Sequence, residues 1–103
     1  GLASDATTGV VLFGMDNGFR PAAAGQRAMM LCHGQRCPVL SVSAEYAVID
    51  VSHLEHPRVG DEVTIIGTDG RDAIAVEDVA LWQGAPSAAY WQVALRNVPF
   101  AAV

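Results

Sequence analysis

Two thiols and an imidazole share the stretch "LCHGQRC", Leu31 to Cys37. Thiolate and imidazole are ordinary zinc ligands, and a thiolate beside a base is an ordinary nucleophile. A closed zinc site wants about four ligands, usually from two paired clusters. Cys32, His33 and Cys37 offer three, and His53 and His56 are the only other histidines. The same spacing describes a hairpin turn, His33-Gly34-Gln35, flanked by two small, half-buried thiols, and this is the preferred reading. No metal ligand is assigned. Among the other polar residues, Tyr46 and Tyr90 are the only phenols. Tyr90 reads as a packing residue, Asp50 as a turn or barrel-rim acid, and Asp61 and Glu62 as a solvated loop. Trp82 and Trp91 read as core or as a domain-docking face. Chemistry that needs a side-chain primary amine is excluded, because all six cations are arginine and none is lysine.

The totals narrow the class. A chain of 103 residues, 51% apolar and 17% charged, is one core-forming domain. A net charge of -5 with scattered arginines offers no basic patch, so no nucleic-acid partner is expected. No apolar run approaches the ~18 residues that cross a bilayer, and "GLASDATTGVV" lacks the basic and apolar regions of a signal peptide. The expectation is a cytoplasmic protein with no membrane partner.

The elements that must position these residues are short. Residues 1–8 read as a loose leader and 9–103 as the domain. "GVVLFG", Gly9 to Gly14, reads as a buried strand, and Asn17-Gly18 and Pro21 then break the chain. A hairpin follows, with arms near 27–32 and 36–43. In "AEYAVIDVSHL", Tyr46, Val48 and Asp50 share one face and Ala47, Ile49 and Val51 the other, both largely apolar. "DEVTIIG" is the next strand and "TDGRD" a tight turn. Val76, Val79 and Ala80 then fall at helical spacing, with Glu77 and Asp78 in the first turn and Gly84 as the stop. Ala75, the N-cap, has no side-chain oxygen to offer. Pro86-Ser87 opens a possible second helix, and "NVPFAAV" returns to extended chain. Five or six strands with one short helical segment near the C-terminus make a mainly β fold, a small barrel or sandwich.

Five segments in this order resemble the C-terminal β-domain of the fold-type III alanine racemases. The family pattern runs G-Y-A-D-G-Y-P-R, then G-x-x-A-P-I-V-G-R-V-S-M-D-M-x-M-V-D-V, V-G-D-E-V-x-L-x-G, I-T-A-D-E-L-A and S-Y-E…R-V-P-R. The counterparts here are "GMDNGFRP", "GQRCPVLSVSAEYAVIDV", "VGDEVTIIG", "IAVEDVA" and "SAAYWQVALRNVP". The resemblance implies a parent enzyme that interconverts L- and D-alanine with pyridoxal phosphate. It also implies an N-terminal (β/α)8 barrel, in the same or a partner subunit, that holds the cofactor, and a homo-oligomer in which this domain completes a partner's active site.

The departures fall where the resemblance would place chemistry. Met15 stands at the tyrosine of G-Y-A-D-G, Asp16-Asn17 replaces Ala-Asp, and Arg20-Pro21 inverts Pro-Arg. Ala44 and Glu45 align with the methionine and aspartate of S-M-D-M, with one deletion near Ser41. Met15, Arg20, Ala44 and Glu45 are therefore the residues expected at a substrate entrance or domain interface. The family's catalytic tyrosine would fall before Gly1, and its Schiff-base lysine belongs to the barrel. No catalytic or cofactor-binding residue is assigned within this chain, which is expected to be inactive alone. Two other classes remain open: a stand-alone, non-catalytic binding or oligomerisation module of the same descent, and a thiol or metal protein built on Cys32, His33 and Cys37.

Overall fold

The computed structural model describes residues 7–84 and 97–102, the latter by backbone alone. Eight strands and one helix are present among these residues: β1 (Thr8–Val11), β2 (Met29–Cys32), β3 (Gln35–Val42), β4 (Ala47–Asp50), β5 (Glu62–Thr64), β6 (Gly67–Asp69), β7 (Asp72–Ile74), α1 (Val76–Gln83) and β8 (Asn97–Ala102). Six strands close into an antiparallel barrel in the order β1-β4-β3-β2-β5-β8, with β8 returning to β1. β6 and β7 form a separate two-stranded sheet. The barrel and the single short helix match the expected fold class.

The barrel interior follows from alternation. In β4 and just after it, Ala47, Ile49 and Val51 are fully buried, while Tyr46 is exposed and Val48 and Asp50 are half-buried. The expectation of two apolar faces is thus corrected to one inward and one outward face, as a strand with one side to the core requires. Val11, Met30, Leu31, Val63 and Ile65 complete the same interior with Phe19, whose ring meets Phe13 edge to face at 6.3 Å.

Three further expectations change. Thr8 belongs to β1, not to a leader, and Thr7 is tied to the barrel through Val51 N–H (2.9 Å) and the Ser52 hydroxyl (2.8 Å). The β2–β3 turn has two residues, not three, because Gln35 already pairs with Cys32. His33 (φ 55°) and Gly34 (φ 71°) both lie at positive φ, as a tight turn matching strand twist demands. Finally, "DEVTIIG" is not one strand. β5 ends at Thr64, the buried Ile65-Ile66 pair turns the chain into the core, and Gly67 (φ 139°) begins β6. Such three-residue strands leave too short a period to be counted from sequence, so five or six became eight.

The helix matches its expected span. Ala75 offers no cap, and the Asp78 carboxylate compensates by accepting the Ala75 N–H at 2.8 Å. Gly84, left-handed at φ 66°, closes the C-terminus by donating its N–H to the Leu81 carbonyl. Val79 and Trp82 are buried against the barrel. The suggested helix after Pro86, together with Tyr90 and Trp91, lies outside the described residues.

Candidate functional site

One end of the barrel is built by two loops that clamp each other. Met15–Asn17 form a single 3-10 turn, closed by Asn17 N–H on the Gly14 carbonyl (2.9 Å) and by left-handed Gly18. The Asn17 side chain accepts the Gly14 N–H at 3.1 Å. This turn abuts the β3–β4 connection. Met15 N–H donates to the Ser43 carbonyl (2.9 Å), and Asp16 N–H donates to the Ala44 carbonyl (2.8 Å). Ser43 is itself pinned, its N–H and hydroxyl both donating to the Tyr46 carbonyl. Gly14 is what permits the approach: a Cβ there would collide with the Ser43 carbonyl and lie 2.7 Å from Tyr46 N.

The clamp brings three of the four expected entrance residues together. Met15, Ala44 and Glu45 sit side by side on this rim, all exposed. Large apolar side chains are uncovered around it: Leu12 is 60% exposed, Met15 44% and Tyr46 42%. Arg20 is set apart, on the chain leaving the turn, where its carbonyl accepts the Gln83 amide at 2.9 Å. No hydrogen bond or ion pair joins Arg20 to Glu45 among the described residues.

The thiol cluster comes apart in three dimensions. His33 points outward to Asp61, Nε2 to Oδ2 at 2.8 Å, while Cys37 Sγ lies 3.8 Å from His53 Nε2. Among the described residues no group of three or more histidine, cysteine or acidic side chains is placed to hold a metal. The two thiols are fully buried, not half-buried as expected, because both alternate inward on the barrel wall. Burial, and next the charge of its neighbour Cys37, pushes the Cys32 thiol up to about 12. Burial, followed by the negative field of Asp50, raises Cys37 to about 11. Both are therefore protonated and unreactive at neutral pH. Alkylation by iodoacetamide at pH 8 should accordingly be much slower in the folded chain than in urea. Equal rates would show that the thiols are accessible.

Four acids hold the opposite end of the barrel: Asp61, expected to be solvated, is instead paired, whereas Asp50 is a turn acid as expected. Asp61 accepts both the His33 ring and the Arg58 N–H (2.9 Å), and these bonds, the backbone one first, keep its carboxyl below the usual range. Asp69 accepts the Gly34 N–H at 3.0 Å, tying the β2–β3 turn to the small sheet. Asp72 takes Arg36 through two nitrogens at 2.8 and 3.3 Å, and that hydrogen bonding likewise lowers it. Asp50 accepts the Ser52 hydroxyl (2.7 Å) and N–H (2.9 Å), an Asx turn that depresses its own carboxyl. These acids serve the scaffold. Sequence spacing carries no sign of the long-range pairs His33–Asp61, Gly34–Asp69 and Arg36–Asp72.

A closed antiparallel barrel with two buried thiols and a loop rim that gathers Met15, Ala44 and Glu45 defines a small β-domain. The family model for the alanine racemase C-terminal domain matches residues 2–99, and the chain belongs to that family. The alanine racemase of Methanococcus maripaludis is 40% identical over 50 residues, 48% of this chain and 13% of that protein. The broad specificity amino-acid racemase of Vibrio vulnificus is 33% identical over 78 residues, 75% of this chain and 19% of that protein. In fold, the alanine racemase of Bacillus anthracis, solved with bound L-Ala-P, superposes with a TM-score of 0.71 at 24% identity. That match covers 86% of this chain and 22% of the other. The chain thus spans less than a quarter of the length of each of these proteins.

Proposed function

We propose that this chain acts as the C-terminal β-domain of an alanine-racemase-like enzyme, docking its Met15–Glu45 rim against a pyridoxal-phosphate barrel in a homodimer and completing the partner's active site. The observation that carries this reading is the family match over residues 2–99, combined with a rim that gathers Met15, Ala44 and Glu45. The parent's work, in the cytoplasm, is interconversion of the L and D forms of an amino acid, alanine first. The cofactor supplies the stabilisation of the carbanion formed when the substrate's α-proton leaves.

The chain's own residues do not fit pyridoxal phosphate. It has no side-chain amine to hold the aldehyde, since lysine is absent. The N-terminus of α1, the one α-helix among the described residues, carries Glu77 and Asp78, which disfavour a phosphate, and Asp78 already occupies the Ala75 N–H. No catalytic step is therefore derived through the cofactor here. The contribution of this chain is to shape an entrance: Met15 and Ala44 supply small or flexible apolar surface, and Glu45 a negative charge.

The test pairs the 103-residue chain with a separately produced alanine racemase barrel that carries its own lysine. A complex on a sizing column is expected, weakened at least about tenfold by Met15→Glu with Glu45→Arg, as loss of an apolar anchor at an interface implies. With pyridoxal phosphate but no barrel, no exchange between D- and L-alanine should occur. Racemisation by the solitary chain would overturn the proposal.

The exposure of Leu12, Met15 and Tyr46 also favours a second reading, a stand-alone module that associates through this rim. Self-association abolished by the same double substitution, with no affinity for any barrel, would select it.

A further inference from the structure

β3 is longer than its neighbour. β2 begins at Met29, opposite Pro38, and one further bond runs from Val39 N–H to the Ala28 carbonyl at 2.9 Å. Beyond this, β3 continues to Val42, and over Ser41 and Val42 it pairs with β4 alone among the described residues. Leu40 is the extra residue of a bulge in that pairing and stands 46% exposed. The loop before β2 runs alongside and leaves an open cleft of about 220 Å³.

The cleft is preformed. Its outer wall, with Pro21 and Ala22, is fastened to the helix end through Ala23 N–H on the Trp82 carbonyl (2.8 Å) and Gln83 on the Arg20 carbonyl (2.9 Å). Its inner wall is the barrel itself, with Val39, Leu40 and Val42. Gln26, Arg27 and Ser41 supply polar groups, so the lining is about as polar as it is apolar. Arg27 makes only a long contact, Nη1 to the Val39 carbonyl at 3.4 Å. It has no carboxylate partner among the described residues, although acids outnumber arginines eleven to six in the chain. Arg27 is exposed, so its five N–H donors face solvent in a planar fork that a carboxylate can match.

We propose that this cleft binds a small ligand bearing a carboxylate beside a short apolar group. Arg27 takes the carboxylate, Ser41 donates its hydroxyl to the same group, and the apolar part lies between Pro21 and Val42. At roughly 30 Å³ per displaced water, the space holds about seven waters, which suits a ligand the size of a blocked amino acid. The site uses neither Met15 nor Glu45 and stands whether or not the rim docks.

The test is an NMR titration of the ¹⁵N-labelled chain with N-acetyl-L-alanine, with N-acetyl-L-alaninamide, and with inorganic phosphate. Saturable shifts at the Ala28, Leu40 and Val42 amides are expected with the carboxylate alone. Arg27→Gln should weaken binding by about tenfold or more, the size expected for loss of a charge-assisted pair. Ser41→Ala, a gentler change, should weaken it less, and both variants should keep the dispersed spectrum of the folded chain. Failure to saturate, unchanged binding in Arg27→Gln, or an equal response to the amide or to phosphate would each overturn the proposal.

Discussion

Gly14→Ala is expected to destabilise the domain by about 3 kcal/mol, through overpacking and the loss of hydrogen bonds at the rim. The added methyl meets backbone, not a side chain that can swing aside: the Ser43 carbonyl, Tyr46 N at 2.7 Å and the Ala44 carbonyl at 2.9 Å. Relief requires the 3-10 turn to retreat from the β3–β4 connection, which breaks the Met15–Ser43 and Asp16–Ala44 bonds together. Against a total stability of about 5–15 kcal/mol for such domains, this is a large loss. Gly25 is the internal control. It lies at φ 81° with nothing within 4 Å, so Gly25→Ala costs only backbone strain of about 1 kcal/mol. Urea unfolding of both variants checks the contrast. If Gly14→Ala proved no worse than Gly25→Ala, the rim would not be clamped as described. The substitution also separates shape from chemistry, because it displaces Met15, Ala44 and Glu45 without changing any of them.

Alkaline pH should destabilise the chain through its two thiols. Their folded values, about 12 for Cys32 and about 11 for Cys37, stand above the ordinary 9.0. Above pH 9 the unfolded chain releases these protons while the folded chain keeps them, so rising pH favours unfolding. Below 9 both states are protonated and the effect vanishes. Between pH 8 and pH 10.5 the loss is roughly 2 kcal/mol for each thiol, an order-of-magnitude figure from the linkage relation. Unfolding titrations in reductant at the two pH values measure it. The double variant Cys32→Ala, Cys37→Ala should be less stable at pH 8 but should lose much less on going to pH 10.5. A slope that survives in the double variant would place its origin elsewhere.

What the sequence made legible divides by the range of the interaction. Local chemistry was readable: the helix from Val76 to its glycine stop, the Asn17-Gly18 turn, and the 47-49-51 alternation all rest on neighbours a few residues apart. The His33-Gly34 turn was placed but given one residue too many, since only cross-strand pairing fixes where Cys32 meets Gln35. "DEVTIIG" was read as one strand because continuous apolar residues hide a bend whose cause, entry of both isoleucines into the core, is tertiary. The shared rim was legible in a different way. Nothing in spacing joins Met15 to Ala44 across some thirty residues, and it was the family pattern that singled out both. The clamp that unites them consists of backbone bonds, to which side-chain identity is blind apart from the bare glycine. Arg27 had no signal at all: one arginine among six, set apart only by the cleft that it lines.

Closure of the sheet by its last strand has a consequence for biosynthesis. β8 lies between β1 and β5, with Ala102 opposite Val10, so β1 finds one of its two neighbours only after β8 has been synthesised. Until then β1 and β5 each present a bare edge, and such edges invite pairing with other nascent chains. The barrel is thus obliged to close after synthesis of β8, and truncation upstream of Asn97 should yield a product prone to aggregate.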